Sequence, residues 1–482
     1  MRIADYIANF IKSQGVDTVF LVPGGGAMFL DDAIGLVPGL NYVANHNEQA
    51  SSICAEAYSR VTENLGVAVV TTGPGSTNAI TGVAGAWIES VPLVIISGQV
   101  KRADMKAATG VRQMGPQEVD IVSMVKSITK YAVTVMNPQD IRYELEKAFS
   151  LAKSGRKGPV WIDVPLDIQA APITPNQLKP YQDDEIPQKS SIAISEVLDL
   201  ILRAHRPLIL AGHGVRLSGS AEVFKKLYEA IGIPVVTTWN AMDLIPANHR
   251  LSVGKPGTVA LRPANFAVQN CDLLISIGAR LDNVVTAYNP ANFARNAKKV
   301  VVDIDSAELG KFSHAIDFKI QSDAQDFCNQ LYQSVVDNES LVQKKSLSWA
   351  SWIDKCNHWK AKYPINDGQS FPSTGEISHF HMVNAFAELF PEDALIVTGS
   401  SGLGIESFYT AFRNKPGQRV FLTSGLGAMG YGIPATIGAL CANKTYKRVI
   451  GVESDGSLQM NLQELLTLKA LNKPATIFII NN

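Results

Sequence analysis

The chain has 482 residues, 46% of them hydrophobic and 18% charged, with a formal net charge of −1. That size points to about three globular domains, and the absence of clustered Lys and Arg excludes a nucleic-acid surface as its organising feature. No apolar run reaches the length of a membrane span, and Cys54, Cys271, Cys328, Cys356 and Cys441 lie too far apart for metal-ligand pairs, which fits reduced thiols in the cytoplasm.

The opening MRIADYIANFIKSQGV reads as an amphipathic helix without the apolar core and cleavage site of a signal peptide. Residues 1–170 then alternate helical patterns with β-rich runs: TVFLVPG at 18–24, VAVVTTGPG at 67–75, LVIISGQ at 93–99 and PVWIDVP at 159–165. That alternation predicts a parallel α/β sheet. Asn45-His46-Asn47-Glu48-Gln49 stands between the strand-like NYVA and a helix of small residues, SSICAEAYSR. A carboxylate at such a step, Glu48, can project into a cleft and exchange a proton there; taken alone, it fits better an acid favoured at a helix start. Thr72-Gly73-Pro74-Gly75 is a tight turn whose glycines let backbone approach a ligand, or simply turn.

A polar, Pro-rich linker spans 171–190, and a second α/β segment at 191–335 carries PLILAG, PVVTT, LLISIGA and VVVDID. Gly212-His213-Gly214 after a strand, with Asp303-Ile304-Asp305 at a strand end, resembles a dinucleotide site, except that Leu217 replaces the third glycine. The pattern weakens beyond 335 through a helix and a second linker, and a third α/β segment occupies 365–482. There Thr423-Ser424-Gly425-Leu426-Gly427-Ala428-Met429-Gly430 precedes YGIPATIGAL, a second helix of small residues.

The last stretch reads as the strand RVIGVE, the turn SDGS, a helix over Leu458–Leu471, and the strand TIFII ending in Asn481-Asn482. The two strands of such a β-α-β unit are parallel with a right-handed crossover. Asp455 and Asn482 then leave strand ends on the ligand-binding edge, beside a helix amino end suited to phosphate. Carboxylate and amide oxygens are hard ligands for Mg²⁺, which binds with few protein groups plus substrate phosphates. An ordinary β-α-β unit with a surface Asp is the alternative.

Asp455-Gly456 followed by the pair ending at Asn482 is similar to the cofactor signature of thiamine-diphosphate enzymes, and QMNLQELLTL resembles their acetolactate synthase-like group. HNEQA, AEAYSR, TTGPGSTNAITGVAGAWIESVPLVIISGQV and QEVDIV are similar, in order and spacing, to the family's pyrimidine-binding domain. Residues 264–289 and 301–311 resemble its central domain. The resemblance implies an α/β fold of three doubly wound parallel-sheet domains: pyrimidine-binding, central Rossmann-like and diphosphate-binding. It makes Glu48 the glutamate that hydrogen-bonds N1′ of the aminopyrimidine, with Gln117 a cleft glutamine and Gly73 and Gly75 beside the cofactor. The Gly427 carbonyl would accept from the 4′-amino group, and Met429 would hold the two rings bent, although core packing also fits Met429. Gly402, Asp455, Gly456, Ser457 and Asn482 would bind the diphosphate, with Asp455 and Asn482 holding Mg²⁺. In acetolactate synthases the central domain holds FAD without redox use, and in other relatives it holds nothing or a nucleotide, so FAD stays open here.

The implied activity is decarboxylation of a 2-oxoacid with carboligation to a second carbonyl. The implied assembly is a cytoplasmic homodimer or homotetramer with sites shared between subunits, and neither nucleic acid nor membrane as partner. A flavin-linked oxidase, an acyl-CoA-type decarboxylase or a non-catalytic binding relative are the rivals. The chain departs from the family in four places. Ser454 replaces the first glycine of Gly-Asp-Gly and is expected to crowd the turn. Pro116 stands for a phenylalanine, Leu166 for a lysine and Val284 for an arginine, which removes two cations from the substrate side. Family members continue past the Asn-Asn pair, so the third domain is expected to be incomplete at its carboxyl end.

Overall fold

The computed structural model describes residues 1–106, 109–183, 194–311, 315–399 and 402–481. Asn482, assigned above to Mg²⁺ and diphosphate, lies outside the described residues. The chain divides into two compact units, one of residues 1–186, 397–401 and 422–481, the other of residues 187–396 and 402–421.

The first sheet is built from β1 (Thr18–Leu21), β2 (Asn41–Ala44), β3 (Gly66–Val70), β4 (Leu93–Gln99), β5 (Tyr131–Thr134) and β6 (Val160–Pro165), in the order β2-β1-β3-β4-β6-β5. Every pairing in it is parallel. The fully buried runs β3, β4 and β6 lie inside, and the mostly exposed β2 is an edge, as expected for a parallel sheet covered on both faces. The second sheet contains β7 (Pro207–Ala211), β8 (Val235–Thr237), β9 (Ser252–Gly254), β10 (Leu273–Ile277), β11 (Lys298–Asp303) and β12 (Phe318–Gln321), in the order β12-β11-β10-β7-β8-β9. It too is parallel throughout. The third contains β13 (Ala394–Thr398), β14 (Arg419–Leu422), β15 (Arg448–Ser454) and β16 (Thr476–Ile480), in the order β14-β13-β15-β16. β15 and β16 pair in parallel, as the β-α-β reading requires. This is the predicted α/β class with three parallel-type sheets.

In the first unit the helix Ile3–Ser13 buries Ile3, Ile7 and Ile11 on one stripe. The two helices of small residues, Glu48–Thr62 and Gly432–Ala442, pack against each other. Their backbones come so close that a Cβ at Gly438 would lie 2.1 Å from the Cys54 carbonyl oxygen, and the Cys54 thiol donates to the Pro434 carbonyl at 3.1 Å. In the second unit the weak pattern after 335 is a 24-residue helix, Glu339–Lys362. It is anchored by Trp349 and Trp352, whose indole N–H groups donate to the Ala204 and Pro207 carbonyls, each at 3.0 Å.

One predicted element needs correction. The helix expected over Leu458–Leu471 is two helices, Asp455–Met460 and Glu464–Ala470. The break falls at Asn461, whose side chain turns away to a distant carbonyl instead of lying along a continuous helix. Among the described residues no helix is long and apolar enough to cross a membrane.

Candidate functional site

Asn47 caps the helix Glu48–Thr62 by accepting from the Gln49 N–H at 2.8 Å. That fixes Glu48 as the first helical residue, only 9% exposed, and its Oε2 accepts from Asn78 Nδ2 at 3.0 Å. Its other oxygen faces Gly75, where a Cβ would approach Oε1 to 3.2 Å and Thr71 Cγ2 to 2.6 Å. Gly73, at φ +64°, starts the helix Pro74–Glu89, and a Cβ there would strike the Gln117 carbonyl oxygen at 2.5 Å. Thr72 Oγ1 donates to that same carbonyl at 3.1 Å. Glu48, Gly73, Gly75 and the backbone of Gln117 therefore come together, while Gln117 itself is exposed with φ +69°.

A second group forms around the loop 423–430. The Gly430 N–H donates to Ser457 Oγ at 2.7 Å, and its carbonyl accepts from Asn461 Nδ2 at 2.7 Å. Gly427 and Gly430 both have positive φ, +67° and +85°, a conformation that glycine tolerates. Met429 is half-exposed, and its Cε lies 3.6 Å from where a Cβ on Gly456 would sit. Asp455 follows β15 directly, and its Oδ1 accepts from the Gly456 N–H at 2.8 Å. The loop bearing Gly427 and Met429 is thus fastened to the segment bearing Asp455, Gly456 and Ser457. Ser454 has φ −90° and ψ 157°, extended backbone open to any residue, so the crowding expected at this position does not arise from the backbone. Gly402, at φ +86°, precedes the helix Leu403–Ala411.

Sequence reasoning missed the buried acids that hold these pieces. Glu89 Oε1 accepts from the Ser424 N–H and Oγ, both at 2.9 Å, and from the Gly425 N–H at 2.5 Å. Its Oε2 lies 3.8 Å from Arg60, which binds Glu56 through Nε at 2.6 Å. Tyr431 closes the chain by donating to Glu56 at 2.7 Å. Glu453 accepts from the Gly432 and Ser454 N–H groups at 2.6 and 3.0 Å, and burial pushes its carboxyl pKa up. The only signal for Glu453 was an acid inside the apolar run RVIGVES.

The donor set suits a diphosphate held through a hard cation. Asp455 is a strand-end carboxylate, and among the described residues no three His, Cys, Asp or Glu side chains gather as a metal cage. The Asp455 carboxylate is a hard oxygen ligand of the kind Mg²⁺ takes alongside phosphate and water. Leu426 and Met429, 37% and 39% exposed on a fastened loop, offer an apolar surface for a heterocycle.

Models of three thiamine pyrophosphate enzyme domains match the chain. The N-terminal TPP binding domain covers residues 1–124, the central domain 194–331 and the C-terminal TPP binding domain 399–482. The chain belongs to the thiamine pyrophosphate enzyme family. Within that family it is acetolactate synthase-like. It is 35% identical to chloroplastic acetolactate synthase 3 of Brassica napus, across 99% of this chain and 72% of that protein. It is 35% and 33% identical to the acetolactate synthase large subunits of Parasynechococcus marenigrum and Lactococcus lactis, across 99% of this chain and 75% and 80% of theirs. Glu48 falls in the N-terminal match of this thiamine pyrophosphate enzyme, and Gly427, Met429 and Asp455 fall in the C-terminal one.

In the central match the turn Gly212-His213-Gly214 has a packing role of its own. A Cβ at Gly212 would lie 2.1 Å from the Gly278 carbonyl oxygen, and one at Gly214 would lie 2.8 Å from Gly278 Cα. These glycines let the ends of β7 and β10 touch. Asp303 accepts from the Asp305 N–H at 2.9 Å, and Asp305 caps the helix Ser306–Gly310 through the Ala307 N–H at 2.8 Å. Of the three positions expected to depart from the family on the substrate side, Pro116 is exposed while Leu166 and Val284 are half-buried.

Proposed function

We propose that this thiamine pyrophosphate enzyme decarboxylates a 2-oxoacid and joins the remaining acyl unit to a second carbonyl, using thiamine diphosphate and Mg²⁺. Thiamine diphosphate, when bound, supplies the carbon nucleophile and the sink for electrons released with CO₂. Glu48, steadied by Asn78, holds and returns a proton at N1′ of the aminopyrimidine. The Gly427 carbonyl accepts from its 4′-amino group, and Met429 supports the bend between the rings. Asp455 and Asn482 hold the cation, with Gly402, Gly456 and Ser457 around the diphosphate and Gly73, Gly75 and Gln117 on the pyrimidine side. The domains run over 1–170, 191–335 and 365–482.

Glu48 carries this reading. It is a nearly buried carboxylate with one oxygen tied to an amide and the other over a residue that has no side chain. Replacing Glu48 with Gln should abolish CO₂ release from a panel of 2-oxoacids and leave thiamine diphosphate binding, measured by calorimetry, within a few-fold. Unchanged turnover would remove Glu48 from the mechanism.

A homo-oligomer with shared sites is supported by the helix Pro74–Glu89. Its Gly75 end meets Glu48, whereas Gly85 and Glu89, roughly 15 to 20 Å further along at the helical rise, meet Leu426, Ser424 and Gly425. One chain therefore keeps its two half-sites apart, and a second copy would bring them together. Met460, Leu462, Leu465 and Leu466, between 38% and 58% exposed, offer an apolar face for that copy. The protein is cytoplasmic in this reading. With other residues at Pro116, Leu166 and Val284, the donor–acceptor pair need not be two pyruvates. FAD on the central domain is decided by the visible spectrum of the purified protein.

A further inference from the structure

The second unit contains a cavity of about 370 Å³, within the size of small-molecule sites. Met242, Leu261, Pro263, Tyr363, Phe371 and Phe412 give it apolar walls. Three cations also line it: Lys255 after β9, Lys360 near the end of the helix Glu339–Lys362, and Arg413 after the helix Leu403–Ala411. No carboxylate stands among the described lining residues. The cavity meets the carboxyl end of the helix Leu403–Ala411, while Gly402 precedes its amino end, roughly 13 Å away at the helical rise.

Lys255 is 8% exposed. Among the described residues its ammonium, with three donors to place, makes one hydrogen bond, to the Phe412 carbonyl at 3.1 Å. Lys360 is spent on the Ser252 and Ala247 carbonyls at 2.7 and 3.3 Å. Arg413 donates to Asn384 Oδ1 at 2.8 Å, and the nearest acid, Glu388, is 3.9 Å from it and outside the lining. A buried ammonium with so few acceptors is costly unless an anion joins it.

We propose that this cavity binds a small organic carboxylate with an apolar body, its carboxylate on Lys255 and Arg413 and its body against the aromatic wall. Desolvation and the neighbouring Arg413 lower the Lys255 pKa to about 8. The cationic form that binds the carboxylate is full below that value and lost as pH rises through it, so affinity should fall above about pH 8. Among the described residues the charged groups that line the cavity with Lys255 are Arg413 and Lys360, both cations, and Glu388 stands behind Arg413 at 3.9 Å.

Calorimetric titration of the full chain with pentanoate, pentanamide and inorganic phosphate tests the proposal. Pentanoate should bind saturably and pentanamide at least about tenfold more weakly, the size of one charge-assisted hydrogen bond. Phosphate should not compete. Lys255→Met and, as a second variant at a half-exposed position, Arg413→Gln should each weaken pentanoate by about tenfold or more. Equal binding of pentanoate and pentanamide, competition by phosphate, or full affinity in folded Lys255→Met would overturn it, as would no binding of pentanoate at all.

Discussion

Removing the Arg60 guanidinium should expose how much the first unit depends on its buried charges. Arg60 and Glu56 have 0% and 3% of their side chains exposed, and Glu89 lies within 3.8 Å of the same guanidinium. Arg60→Met keeps an apolar stem and leaves two carboxylates without their cation. Breaking a buried pair from one side costs about 3–5 kcal/mol, a large part of the roughly 5–15 kcal/mol by which domains are stable. Desolvation already raises the Glu56 pKa, and Arg60 is the strongest influence opposing it, so the substitution raises it further. A carboxyl whose folded pKa exceeds its unfolded value holds its proton more tightly when folded. Its contribution is therefore intact below about pH 4.3 and lost as pH rises through the folded value. The deficit of Arg60→Met should accordingly be smaller near pH 5 than near pH 8. Urea unfolding of wild type, Arg60→Met, Glu56→Gln and the double variant reads both effects, and the double variant should cost clearly less than the sum of the singles. A deficit under about 1 kcal/mol near pH 8, strict additivity, or a deficit that grows on acidification would refute the reasoning.

Gly438→Ala places a methyl group 2.1 Å from the Cys54 carbonyl and should cost about 1–3 kcal/mol by overpacking; a denaturation midpoint equal to wild type would mean the two helices part easily. Asp163, buried in β6 and accepting from Ser97, Gln99 and Thr134 at 2.6, 3.1 and 3.1 Å, has its pKa pushed up to about 7 by desolvation. Because the folded state then binds the proton more tightly, stability should fall by up to about 4 kcal/mol between roughly pH 4 and 7. Asp163→Asn should flatten that slope in pH-dependent unfolding, and an unchanged slope would assign it to other groups.

Legibility in the sequence followed length and burial. LVIISGQ and TIFII are strands over the whole of the runs that suggested them, because β-branched residues bounded by Pro92 and Asn481 leave little choice. Tyr131–Thr134 and Arg419–Leu422 escaped notice, since four residues carry too little periodicity to separate a strand from its flanks. The leucines after Leu458 gave a helical period across a place where the helix stops, because Asn461 finds its partner in Gly430, a tertiary fact that no local pattern holds. At the site the glycine turns were visible as turns, and Glu48 as an acid at a strand-to-helix step. What stayed hidden was each turn's partner: nothing near Gly73 in sequence announces the Gln117 carbonyl, and nothing near Glu89 announces Ser424.

Those hidden partners share one design. Glu464, fully buried, accepts from Asn45 Nδ2 and the His46 N–H at 2.9 and 2.8 Å, just ahead of Glu48. Glu89 holds Ser424 and Gly425 just ahead of Gly427, and Glu453 holds Gly432 just after Met429. In each case a carboxylate from another segment takes backbone N–H groups beside a proposed functional residue, with charge-assisted strength. Backbone donors survive most side-chain substitutions, so such pins keep the loops in place while neighbouring side chains change. Pro116, Leu166 and Val284 lie outside these pins. Substitutions at these three positions therefore leave the pinned backbone around Glu48, Gly427 and Met429 in place.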